Sequence, residues 1–161
     1  MKKRYKEIGE LKLFQILWNI SPDKRSLISG REIRSCSLNN CAHVLSKKQY
    51  PHFRLYLFNV CLLHSDEHII YDQGTIEDRI VYSQKYPQTK WDILEGLKSE
   101  LIDEYRLAFP NVSPEGIIMK YSDDEVKEKI RSLNKAYLDT LATEGSLPEG
   151  SEELLRIVSG L

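Results

Sequence analysis

The 161-residue chain is poor in cysteine, methionine and tryptophan, with three, two and two of each. Cys36, Cys41 and Cys61 are odd in number and lack the Cys-x2-Cys spacing, which argues against a disulfide framework and against a zinc ribbon. Buried free thiols are the expected reading, and a structural zinc site built from these cysteines with His64 is the lesser alternative. Apolar runs are only a few residues long, and the basic start Met1 to Lys6 is not followed by an apolar stretch. Neither a membrane span nor a secretory signal is expected, and a cytoplasmic setting fits the reduced thiols. A glycine-rich phosphate loop, a nucleophile elbow and a His-Glu-x-x-His motif are all missing from the sequence. P-loop nucleotide hydrolysis and zinc-protease chemistry therefore lack support.

What the chain does have is an ordinary globular balance, 41% hydrophobic and 29% charged, too apolar for disorder and long enough for a core of its own. Its net charge of -1 hides a segregation. Residues 1 to 54 hold 12 Lys/Arg and 4 Asp/Glu, whereas residues 55 to 161 hold 11 and 20. A basic half suits a polyanionic partner, since phosphate neutralisation supplies most sequence-independent affinity for nucleic acid. A solvated basic segment beside an acidic helical one explains the same numbers.

Apolar spacing predicts a first helix over Ile8 to Ile20, with Leu11, Phe14, Leu17 and Trp18 on one face and Ser21-Pro22 as its stop. Residues 26 to 33 read as a small hairpin turning at Gly30. From Cys41 to Leu63 we expect a short strand, a basic loop and a β-rich segment through Leu55, Leu57, Val60 and Leu62. Ser65 is the expected N-cap of a short helix that Gly74 ends. Further helices are expected over Thr75 to Tyr86 and Lys90 to Phe109. Residues 111–121 read as a linker, and Ser122-Asp123-Asp124-Glu125 as a capping box. The helix it starts carries Val126, Ile130, Leu133, Tyr137 and Leu141, and a last short helix from Ser151 carries Leu154, Leu155 and Val158. The expected organisation is α+β: a unit over residues 1–110, the linker, and an acidic helical hairpin over 122–161. That hairpin either packs on the core or offers a surface to a protein partner.

All four histidines, His43, His52, His64 and His68, fall within one window. Imidazole is both a general base near neutral pH and a metal ligand, so the chemistry is sought there. The segment Cys41-Ala42-His43, with Asn59 sixteen residues on and His68 nine further, resembles the HNH (ββα-metal) endonuclease superfamily. The run Ala42 to Leu55 is similar to short HNH proteins of bacteriophages that lack a zinc knuckle. The resemblance covers roughly residues 26 to 74 and implies a ββα-metal core flanked by helices. It implies cleavage or nicking of DNA with His43 as general base, Asn59 holding the loop or orienting His43, and His68 binding a divalent ion (magnesium, manganese, nickel or zinc). Asp72, four residues after His68 on a helix, is the second expected ligand. Lys47, Lys48 and Arg54, interleaved with Tyr50, Phe53 and Tyr56, are expected to contact phosphates, or else to form a plain solvated loop. If the chain is phage-encoded, its setting is the bacterial cytoplasm. Ala42 stands where the family usually carries a further ligand, so the resemblance leaves two outcomes: an active nuclease, or an HNH-fold DNA-binding or virion-associated protein that has lost activity.

Overall fold

The computed structural model describes residues 2–147 together with Glu153, Arg156 and Ile157, with side chains from residue 9 onward. Its elements run α1 (Lys2–Ile20), β1 (Cys41–His43), β2 (Val60–Leu62), α2 (Ser65–Gln73), α3 (Ile76–Lys85), α4 (Asp92–Ala108) and α5 (Asp123–Thr143). The architecture among the described residues is α+β, a two-stranded antiparallel ribbon surrounded by helices. No helix among them is long and apolar enough to cross a membrane. Of the final helix expected from Ser151, Glu153, Arg156 and Ile157 are helical, while Leu154, Leu155 and Val158 lie outside the described residues.

Three residues per strand make a ribbon too small to stand alone in water, so its stability must come from what covers its faces. The register pairs Cys41 with Leu62, Ala42 with Cys61 and His43 with Val60. Side chains directly opposite in an antiparallel pair share a face, and the faces alternate along each strand. Cys41, Val60 and Leu62 accordingly join Leu13, Phe14 and Leu17 of α1 and Leu138 of α5. Ala42 and Cys61 join Leu94 and Leu101 of α4 and Ile130 of α5. The ribbon is thus a shared wall between two apolar clusters, and α5 contributes to both. The hairpin expected at 26–33 is a turn closed by a single bridge, Arg25 to Glu32, with Gly30 at a φ of 71° that favours glycine.

Several local expectations need correction. Leu11 is 48% exposed, while Leu13, Phe14, Ile16, Leu17 and Ile20 are buried. The buried stripe of α1 is therefore turned away from Leu11 and includes Glu10, which is 7% exposed. Residues 55–59 are not strand: Pro51–Phe53 and Leu57–Asn59 form 3₁₀ turns, and the second strand begins only at Val60. The N-cap of α2 is His64, with Ser65 already inside the helix. The reason is Glu67, whose carboxylate accepts from the His64 amide at 2.9 Å, the reach-back of a capping box. Glu67 is fully buried and also accepts from the Ser26 hydroxyl and from the Tyr82 hydroxyl at 2.9 Å. One carboxylate thereby joins the 26–33 turn, α2 and α3.

Helix α5 starts where Ser122 and Glu125 exchange capping bonds, and its buried stripe packs on the loop between the strands. Asn134, fully buried, accepts from the Leu57 amide at 2.7 Å and donates to the Leu55 carbonyl at 3.0 Å. A buried carboxamide that satisfies one backbone donor and one acceptor leaves both orphaned when removed. Asn134→Ala is expected to lower unfolding free energy by about 2 kcal/mol in denaturant titration. Thr140→Ala, at an exposed position of the same helix, should change it by less than about 0.5 kcal/mol.

Candidate functional site

The loop that joins β1 to β2 has little regular structure, so its backbone groups need side-chain partners. Asn59, fully buried, supplies them. Its Oδ1 accepts from the Leu45 amide at 2.8 Å, and its Nδ2 donates to the carbonyls of Phe53 at 3.1 Å and Leu45 at 3.3 Å. The Val44 amide donates to the Asn59 carbonyl at 2.8 Å, which carries the pairing one step past the ribbon. Asn59 therefore grips the loop backbone at both ends and makes no hydrogen bond to the His43 ring.

His43 is the last residue of β1, and alternation turns it toward α1, where its ring meets Phe14 edge-on with centroids 5.7 Å apart. Its Nε2 lies 2.9 Å from the Arg54 carbonyl. A carbonyl can only accept, so Nε2 carries the proton of the neutral ring and Nδ1 keeps its lone pair. No protein group bonds to Nδ1 among the described residues. Burial pushes the basicity of His43 below the ordinary histidine value; the Arg54 carbonyl and Glu10 pull against this, and the charges of Lys47 and Arg54 add to it. The ring is consequently neutral near neutral pH.

Glu10 is the residue that sequence reasoning missed. Its carboxylate accepts from Lys47 Nζ at 2.8 Å and Arg54 Nη2 at 2.6 Å, and it lies 3.7 Å from His43 Nε2. Burial works to raise its pKa, but the hydrogen bonds and charges of Lys47 and Arg54 outweigh that and hold it below the usual carboxylate value. The available signal was its position three and four residues before Leu13 and Phe14. A carboxylate on a buried helical stripe requires cationic partners. Lys47 and Arg54 keep side-chain exposures of 48% and 28%, so both still face solvent beside His43. Lys48 is exposed and has no ion-pair partner among the described residues.

On α2, His68 and Asp72 meet directly, Nε2 to Oδ2 at 3.0 Å, while His68 Nδ1 lies 2.9 Å from the Asn39 carbonyl. The bond to Asp72 raises the basicity of His68 and burial opposes the rise. One imidazole nitrogen and one half-exposed carboxylate on successive turns form a nitrogen-and-oxygen donor pair suited to a divalent ion. Ala42 faces the α4 side of the ribbon, fully buried and without a donor atom. No group of three His, Cys, Asp or Glu side chains positioned to hold a metal occurs among the described residues. His68 and Asp72, bonded to each other at 3.0 Å, could hold an ion only together with ligands from outside the described residues.

The residues form two centres. No hydrogen bond or ion pair joins His43 to His68 or Asp72 among the described residues; Lys47 acts electrostatically on both imidazoles. Tyr71, next to Asp72, donates to the Val44 carbonyl at 2.6 Å, which ties α2 to the end of β1 where His43 sits. His52 packs against the rings of Tyr105 and Phe109. His64 borders an open cavity of about 500 Å³ together with Arg31 and Arg34. Of the three thiols, Cys41 and Cys61 are buried, whereas Cys36 is exposed, contrary to the expected burial of all three. Burial pushes the Cys41 and Cys61 pKa values up to about 12, which keeps both protonated and poor as nucleophiles.

No protein-family model, curated protein or solved structure matches the chain.

The loop geometry depends on Asn59. Asn59→Ala removes the partner of one amide and two carbonyls, and we expect a loss of about 3 kcal/mol in denaturant unfolding. Hydrogen exchange at the Leu45 amide should accelerate well beyond that at the ribbon amides. An unchanged Leu45 exchange rate would show that the loop holds itself.

Proposed function

We propose that the chain is a metal-dependent nuclease of the HNH type that cleaves or nicks DNA. The observation that carries this reading is the order β1, loop, β2, α2. In it His43 ends the first strand with a free Nδ1, Asn59 clamps the loop, and His68 and Asp72 pair on one helical face. The basic character of the first 54 residues, the partial exposure of Lys47 and Arg54 beside His43 and the exposure of Lys48 on the same loop favour a phosphate-bearing substrate.

A divalent ion held by His68 Nε2 and the Asp72 carboxylate would supply charge neutralisation at the scissile phosphate. The remaining work falls to the chain's own residues. His43 Nδ1 accepts a proton from water while Nε2 keeps its proton on the Arg54 carbonyl. The water oxygen bonds to phosphorus, the bond from phosphorus to the leaving sugar oxygen breaks, and that oxygen takes a proton from solvent. Lys47 and Arg54 hold the phosphate against the ring, and Lys48 contacts a neighbouring phosphate. For a protein partner, α5 offers its exposed acidic residues Asp123, Asp124, Glu125 and Glu128, since its apolar stripe is already covered.

A second reading is favoured by Ala42. A donor set of two protein ligands suits a DNA-binding or virion-associated protein that has kept the fold and lost the ion.

Incubation of supercoiled plasmid with the chain and magnesium, manganese, nickel or zinc separates the two. The nuclease nicks the plasmid, and His43→Ala lowers the rate by at least about 100-fold with folding and DNA affinity retained. DNA binding without cleavage under every metal supports the degenerate module. The pH profile has a defined sign. Protonation removes the base, and the His43 pKa is lowered, so the acid limb of the rate should lie below the ordinary histidine value of 6.5.

A further inference from the structure

Glu10 sits on the buried face of α1 beside Leu13, Phe14 and Leu17, where an apolar side chain would pack as well. Replacing a buried ion cluster by apolar residues is often neutral or stabilising, so packing alone does not account for a carboxylate here. Its surroundings are specific. Lys47 bonds to one carboxylate oxygen at 2.8 Å, Arg54 to the other at 2.6 Å, and the oxygen bound by Lys47 lies 3.7 Å from His43 Nε2. That nitrogen is already committed to the Arg54 carbonyl at 2.9 Å. Glu10 therefore acts on the imidazole through space.

We infer that Glu10 is a positioning residue that serves His43 as the charge partner of its imidazolium and fixes the Arg54 carbonyl on its Nε2. This inference rests on the reading of His43 as a general base. The groups facing the ring are Glu10 and Phe14 from α1, and Lys47 and Arg54 from the loop. With His43 neutral, one carboxylate and two cations leave a single excess positive charge. When Nδ1 takes a proton the excess becomes two, and without Glu10 it would be three in a largely buried site. A carboxylate within about 4 Å favours the protonated ring, as an acidic residue does for the histidine of hydrolytic triads. Glu10 also grips the Arg54 side chain while the main chain of Arg54 grips His43, so a single contact sets both the charge and the orientation of the base.

The test is read by NMR on the full chain without DNA. In the unsubstituted protein, the Glu10 carboxyl carbon should show a second inflection at the pH where the His43 ring titrates. In Glu10→Gln the His43 midpoint should move to lower pH by on the order of one unit, and Glu10→Asp should restore part of the shift. The acid limb of plasmid cleavage should move the same way in Glu10→Gln. A Glu10 carboxyl that ignores His43 titration, or a His43 midpoint unmoved in Glu10→Gln, overturns the inference. The first measurement needs no substitution and decides the matter even if Glu10→Gln does not fold. Coupled titration in a chain that cuts no plasmid would leave the Glu10 and His43 pair in place and remove the nuclease reading. Cleavage dependent on His43 without coupling would do the reverse.

Discussion

The loop that carries Lys47 and Arg54 to His43 is held by one buried carboxamide. The Asn59 side chain spends its donors and acceptor on Leu45 and Phe53, which closes a long, irregular loop against a ribbon of three residues per strand. Loop closure costs conformational entropy that polar contacts at the surface do not recover, whereas hydrogen bonds made in the interior are costly to break. With the loop fixed, the Arg54 carbonyl stands at His43, and the Lys47 and Arg54 side chains reach Glu10. Asn134 repeats the device one turn later, clamping Leu55 and Leu57 from α5. Two asparagines from distant parts of the chain thus do for the loop what strand pairing does elsewhere.

Much of this was legible in the sequence where a local rule applied. The capping box at Ser122, the stop at Gly74 and the apolar spacing of α4 and α5 follow from residues a few positions apart, and the helices lie close to where those signals place them. The pairing of His68 with Asp72 is likewise an i, i+4 relation on one helix. Spacing alone does not say which of two adjacent stripes of α1 meets the ribbon, so it points to Leu11 where the structure buries Leu13. The 3₁₀ turns at 51–53 and 57–59 escaped because apolar alternation through Leu55 and Leu57 imitates a strand, while the backbone there is held by Asn59 and Asn134. Glu10 and Asn134 were unreadable for a common reason. Each is a polar residue whose partners are far away in sequence, 37 and 44 residues for Glu10 and 77 and 79 for Asn134.

The two faces of the ribbon divide the work. The α1 side carries the neutral imidazole with Glu10, Lys47 and Arg54; α2 carries the His68 and Asp72 pair, and Ala42, on the α4 side, offers only a methyl group. His43 ends β1, where Tyr71 ties α2 to Val44 and neither face is continued by further strand, which is why the proposed reading places a phosphate there. On the proposed reading, a site with two protein ligands would depend on substrate oxygens for the coordination that Ala42 does not give, so metal would bind more tightly with DNA than without it.

On the proposed reading, His43 and the His68–Asp72 pair address one phosphodiester. Paramagnetic manganese titrated into the isotopically labelled chain with a short, non-cleavable phosphorothioate duplex tests this. The His68 ring and Asp72 carboxyl signals should broaden selectively at low manganese, followed by the His43 ring, with the duplex strengthening all three. Broadening centred on the acidic residues of α5, or a His43 ring unaffected while His68 disappears, would contradict it.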